Sequence, residues 1–170
     1  MHRDSDRATR AAALERARRA LSVAEEIGAS CAVNIAGSRG YQWDGPDEKN
    51  LRPETYGLIV DTVREIIDAV DVSLRHPFPA FAVISAPALY YSNGGFLTEF
   101  VREFGPRIKA VHLQELRPGL GRLDYRALLS ELERVSTNMP LLIEHLKSEQ
   151  EYVESARYLR GVAASVGVPL

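Results

Sequence analysis

Short apolar runs alternate with amphipathic segments along this sequence. The runs CAVNIAG, FAVIS, IKAVHL and PLLIEHL are apolar almost throughout, whereas the segments between them repeat apolar residues every three or four positions, as one face of a helix requires. A strand that is apolar throughout must be covered on both faces, which is typical of a parallel sheet packed between helices. The pattern therefore predicts an α/β fold with four clear strands, and a fifth around Asp71 to Arg75.

Local signals predict where the helices begin and end. Gly28 is the expected stop of the first helix, Pro53 the start of the second and Asp124 the N-terminal cap of a later one. Ser148, with Glu151 three residues on, predicts a capping box before the last helix. The helical spacing assigns these residues to the core: Leu14, Ala17, Leu21, Ala24, Tyr56, Val60, Val63, Ile67, Val70, Phe96, Phe100, Val101, Phe104, Leu128, Leu129, Leu132, Val135, Tyr152, Ala156, Leu159 and Ala163.

Composition argues against several classes of partner. The 170 residues, 45% of them hydrophobic, predict one domain spanning residues 1–170. A net charge of -2 gives no positive surface for nucleic acid. The longest nearly apolar run, PAFAVISAPALYY, is shorter than the roughly 20 residues of a membrane helix. The charged start MHRDSDRATR lacks the apolar core of a signal peptide, and the single cysteine, Cys31, can form no internal disulfide. We therefore expect a cytoplasmic protein that binds neither nucleic acid nor membrane.

Two polar residues interrupt the carboxyl ends of two predicted strands. In parallel sheets, ligand sites form beyond these ends, and the period of two places His112 and Glu144 at equivalent positions. An imidazole and a carboxylate from neighbouring strands could bind a divalent cation such as Mn²⁺, Co²⁺, Zn²⁺ or Mg²⁺. The alternative is that His112 is a hydrogen-bonded structural residue. Glu144 needs a cation, a metal or a mouth open to water, whereas His145 alternates to the other face and is expected to pack against a helix.

Five stretches together resemble the xylose isomerase-like superfamily, in particular its sugar phosphate isomerases and epimerases. They cover most of residues 11–166 and occur in the order of that family: AVNIAGSRG, NLRPETYGLIVDTVREIIDAV, NGGFLTEFVREFGPRIKAVH, RPGLGRLDYRALLSELE and MPLLIEHLKSEQEYVESARYLRGVA. The resemblance implies a TIM-type barrel. The number of strands and the chain length make this an incomplete (β/α) barrel, with parallel strands, outer helices and about four to five βα units.

The resemblance also implies a site. Family members hold a divalent metal with two glutamates, an aspartate and a histidine, and the glutamates transfer a proton next to the carbonyl of a sugar. Glu144 matches one catalytic, metal-binding glutamate, His112 matches the metal histidine, and Arg117 resembles an arginine that contacts substrate oxygens. Trp43, in the loop YQWDGP, either stacks on a sugar face or covers the rim of the barrel.

Two of the four implied metal ligands have no counterpart. The family's aspartate position is occupied by Ala86, and DVSLRHPFP supplies no glutamate. The prediction is therefore a sugar or sugar-phosphate isomerase or epimerase-like protein, impaired by the missing ligands, and its status as an enzyme stays open. The alternative is a non-catalytic truncated barrel that binds a partner or small molecule, or an incomplete gene product. An open sheet also predicts association between copies of the chain through its edges.

Overall fold

The computed structural model describes residues 2–29, 33–35, 39, 47–73, 81–85, 95–113, 117–121, 123–136 and 138–170. Five α-helices lie in this part of the chain: α1 (His2–Glu26), α2 (Pro53–Ser73), α3 (Phe96–Phe104), α4 (Tyr125–Val135) and α5 (Glu149–Ser165). The strands described between them are β1 (Val33–Ile35), β2 (Phe81–Ser85), β3 (Ile108–Leu113) and β4 (Leu141–Ile143). Short 3₁₀ helices at Glu48–Leu51 and Gly105–Arg107 precede α2 and β3.

The predicted incomplete TIM-type barrel with four to five βα units is wrong, because helix dominates the described chain. The four described strands pair in parallel in the order β1-β2-β3-β4, but each has only three to six residues. The predicted fifth strand is also wrong where the structure describes it, since residues 71–73 extend α2. Apolar runs identify buried segments, but they do not determine how many residues join a ladder.

Among the residues whose burial the structure describes, most of the hydrophobic core belongs to helices. α1 packs on α2, and α4 packs on both α3 and α5. Val111 and Leu113 of β3 are buried against this helical layer, with exposures of 0% and 1%. The core contains most of the residues that helical spacing selects, and also Leu97 and Ile66, which it missed; one selected residue, Tyr152, is exposed.

The helix ends agree with the sequence signals. Gly28 has φ +69° and donates to Glu25, while Ala29 donates to Ala24, the pattern that ends a helix with a left-handed residue. Asp124 accepts a hydrogen bond from the Ala127 amide at 3.1 Å. These local predictions are confirmed because each depends on a few consecutive residues.

The capping box before α5 differs from the predicted arrangement in one hydrogen bond. Ser148 Oγ accepts a hydrogen bond from the Glu151 amide, as predicted. The Glu151 carboxylate accepts from the Lys147 amide at 2.7 Å, one residue before the cap residue itself. Both bonds satisfy backbone donors that the first turn leaves unpaired. None of the helices in the described ranges combines the length and the hydropathy needed to span a bilayer.

Candidate functional site

His112 and Glu144 meet at the carboxyl end of the β3–β4 ladder. The Nδ1 atom of His112 lies 2.7 Å from Oε1 of Glu144. The side chains are 19% and 28% exposed, so the pair is partly shielded but open to solvent. The structure thus brings together the two residues that the sequence singled out.

The register of the ladder explains how they meet. His112 pairs with Leu142, so Glu144 lies two positions beyond the level of His112 and just after the end of β4. The Glu144 amide continues the ladder by donating to the Leu113 carbonyl at 3.3 Å. The expectation that His112 and Glu144 lie at the same level of the two strands is therefore wrong by two residues. Because the side-chain period of a strand is two, this offset keeps both side chains on the same face, where they can still touch.

The two faces of β3 have different surroundings. Val111 and Leu113 are buried among the helices, whereas His112 and Ala110 are only partly covered. On β4 the corresponding face carries Leu142, which is 37% exposed. The imidazole and the carboxylate therefore lie at a partly exposed end of the ladder, where a small molecule can approach them.

The contact between the pair determines the chemistry available. A carboxylate oxygen only accepts, so Nδ1 of His112 carries the proton and donates to Oε1 of Glu144. In the neutral imidazole the lone pair then lies on Nε2. A carboxylate bonded in this way fixes the tautomer and the orientation of the ring. The arrangement is suited to proton transfer at Nε2.

His145 completes the surroundings of the carboxylate. Its Nε2 atom lies 3.8 Å from Oε2 of Glu144, and its side chain is 74% exposed. The expectation that it packs against a helix is therefore wrong. His145 has φ +59°, a left-handed conformation that histidine adopts more readily than bulky or β-branched residues. This turn of the backbone brings two consecutive side chains toward the same region, which alternation along a strand does not predict.

The donor set within the described residues is too small for a divalent metal. Imidazole and carboxylate are suitable donors, but no three histidine, cysteine, aspartate or glutamate side chains of the described ranges form a group that could hold an ion. A catalytic zinc site typically has three protein ligands. In addition, the direct Nδ1 to Oε1 contact uses one donor of each residue. The residues seen here do not fit the implied metal.

Arg117 lies in the loop after β3 and is bound to a carboxylate of α5. Its Nη1 atom donates to Oε2 of Glu154 at 3.0 Å, and Gln150 donates to Oε1 of the same residue at 2.7 Å. No pattern in the sequence singles out Glu154, because an isolated glutamate on a helix is usually solvated. The loop position of Arg117 was recognised, but its partner depends on how α5 docks.

Several sequence-based expectations lie outside the described residues. Trp43 does, and so do Ala86 and residues 74–79 of the segment in which a metal glutamate was sought. Arg39 is described. Its backbone amide donates to Oδ1 of buried Asn50 at 2.9 Å, and its side-chain Nη1 donates to the hydroxyl of Thr55 at 3.2 Å. These bonds attach the chain after β1 to the start of α2.

No family model matches the chain. No curated protein matches it either.

Proposed function

We propose that the protein is a sugar or sugar-phosphate isomerase or epimerase-like protein, which moves a proton next to a carbonyl at the His112–Glu144 pair. The observation that carries the proposal is the 2.7 Å contact between Nδ1 of His112 and Oε1 of Glu144, two side chains that are partly exposed. The choice of a sugar as substrate comes from the sequence resemblance alone. A cytoplasmic location and a small-molecule partner belong to the same proposal.

The proposal gives different roles to the two side chains, which the direction of their hydrogen bond supports. Nε2 of His112 is the general base that removes the proton from the carbon next to the carbonyl, and it returns the proton in the second half of the reaction. Glu144 holds the ring and stabilises the imidazolium that forms. This division differs from the sequence-based expectation, in which Glu144 transfers the proton itself. A positioned general base typically accelerates such a step by about 10² to 10⁴.

The divalent metal remains a prediction of the resemblance. No step above depends on it, because the described donors do not fit an ion. Isothermal titration with Mn²⁺ distinguishes a metal held by the pair from proton transfer without a metal. Binding that is lost in Glu144→Gln and in His112→Gln would support the metal. If Mn²⁺ does not bind, only the proton-transfer role of the pair remains.

Deuterium exchange tests the proposed reaction. The protein is incubated in D₂O with a panel of ketohexoses and their phosphate esters, and label on the carbon next to the carbonyl is measured by mass spectrometry. We expect label with at least one sugar, and a loss of at least about 10² in rate for His112→Gln and for Glu144→Gln. His145→Gln is the matched control, because it removes an exposed imidazole that is not bonded to Nδ1 of His112. Exchange that survives His112→Gln would refute the role of the base.

A non-catalytic binding protein is the second candidate. The observation that favours it is the small donor set, since the described residues supply two donors where the resembled family uses four. In that case sugars bind without exchange, and Glu144→Gln weakens binding rather than abolishing a reaction. Association between copies through the edges of the ladder stays a prediction, which light scattering coupled to size exclusion would test.

A further inference from the structure

A second concave site lies between the first turn of α4 and the outer face of α5. It is a shallow groove with a volume of about 520 Å³ and is widely open to solvent; the volume is within the range of small-molecule sites. Its wall includes Arg126 from α4 and Arg157, Tyr158 and Gly161 from α5. The site is separate from the His112–Glu144 pair in the residues that line it, and it does not depend on the proposed function.

The charge around this groove is positive. Within the described ranges neither Arg126 nor Arg157 makes an ion pair, although both line the same cavity. The carboxylate in the wall, Glu154, already accepts hydrogen bonds from Arg117 and Gln150. Its charge is therefore largely offset, and two guanidinium groups remain unopposed. Guanidinium groups bind phosphate oxygens through paired, charge-assisted hydrogen bonds.

An aromatic surface lies in the same wall. Tyr158 is 40% exposed, and its ring contacts that of Tyr125 edge to face at a centroid distance of 5.8 Å. A side chain on Gly119 would come within 3.0 Å of the same ring, so the loop closely approaches Tyr158. These two contacts restrain the ring while 40% of Tyr158 stays exposed, which lowers the entropy cost of using the ring to bind a ligand.

The floor of the groove is open. A Cβ atom built on Gly161 would meet no heavy atom within 4 Å. Free space beside two cations and a fixed aromatic ring suits a ligand that has both a doubly charged group and a flat apolar body. A carboxylate has a single charge and would satisfy only one guanidinium fully, whereas a phosphate monoester can engage both.

We infer that this groove binds a small organic phosphate monoester, with its phosphate between Arg126 and Arg157 and its planar body against Tyr158. The probe is phenyl phosphate, titrated into the full chain and followed by amide chemical shifts and by calorimetry. We expect shifts confined to the start of α4 and to α5, and weaker binding of inorganic phosphate because it lacks the ring. Equal affinity for both probes would overturn the role of Tyr158.

Substitutions locate the site. Arg126→Gln and Arg157→Gln should each weaken phenyl phosphate binding by at least about tenfold, since each removes charge-assisted hydrogen bonds. Arg160→Gln is the matched control on α5, because Arg160 is exposed but does not line the groove, and it should change affinity less than about twofold. Gly161→Leu should fill the floor and abolish binding while the circular dichroism spectrum is unchanged. Absence of binding to the unaltered chain, or equal losses in the control and the two arginine variants, would overturn the inference.

Discussion

The guanidinium of Arg117 lies 3.0 Å from the carboxylate of Glu154 and joins the loop after β3 to helix α5. A second contact secures the same loop, because Gly119 closely approaches the ring of Tyr158. Residues 37 positions apart in sequence therefore hold together a surface to which both the loop and α5 contribute. The ion pair with Glu154 also gives Arg117 a structural role.

Gly119 should be intolerant of a side chain. Its φ of +92° lies in the left-handed region, and a Cβ would come within 3.0 Å of Tyr158. We expect Gly119→Ala to lower the free energy of unfolding by about 1–3 kcal/mol, measured by urea denaturation. Gly57→Ala is the control, since Gly57 lies in α2 with open space around it and should gain about 0.5–1 kcal/mol. A neutral Gly119→Ala would contradict the docking of the loop.

Gly105 and Val135 should be energetically coupled. A Cβ on Gly105 would lie 2.5 Å from Cγ2 and 2.7 Å from Cγ1 of Val135, so helix α4 approaches the end of α3 closely. We expect Gly105→Ala to cost about 1–3 kcal/mol, and to cost at least about 1 kcal/mol less when Val135 is already alanine. A double-mutant cycle measured by thermal unfolding tests this, and strictly additive effects would contradict it.

Glu131 should stabilise the fold in a pH-dependent way. Its carboxylate is bound by Arg134 and by Arg102, and these bonds, that to Arg134 first, hold the pKa of Glu131 below its ordinary value of 4.5. The stabilisation is therefore fully present above the pKa of the unfolded state, and it is lost as the pH falls through the lower pKa of the folded state.

The matching experiment compares Glu131→Gln with the unaltered chain from pH 7 to pH 2. We expect a loss of about 1 kcal/mol at neutral pH, and a difference that begins to shrink below about pH 5. Glu133→Gln, on the same helix, should change the free energy of unfolding by less than about 0.5 kcal/mol at neutral pH. A difference that stays constant to pH 2 would contradict the role of the ion pairs.

Tyr56 should make the fold sensitive to alkali. Burial, followed by the nearby carboxylates of Glu99 and Glu103, raises the pKa of Tyr56 to about 12 from 10.0. The resulting stabilisation is complete below pH 10 and is lost as the pH rises toward 12. Tyr56→Phe should keep the contact with Phe96, whose ring centroid lies 4.9 Å away, and should flatten this loss. Free energies of unfolding from pH 8 to 12 measure it; equal slopes in both chains would contradict the assignment.

Short-range features were predictable, as the helix ends show. The stop at Gly28, the cap at Asp124 and the core positions of α3 and α4 follow from the chemistry of neighbouring residues. His112 and Glu144 could also be identified from the sequence as candidate site residues, because a polar group at the end of an apolar run must find a partner. The number of residues in each strand could not be predicted, since strand pairing depends on a second segment far along the chain.

By itself, the sequence determined which segments are apolar, where several helices begin or end, and that an imidazole and a carboxylate interrupt two of the apolar runs. Only the tertiary structure decided that helices would dominate, that a two-residue offset would bring Nδ1 of His112 to Oε1 of Glu144, and that Arg117 would bind Glu154. The physical reason is that local propensities act over a few residues, whereas register and charge pairing depend on how distant elements pack.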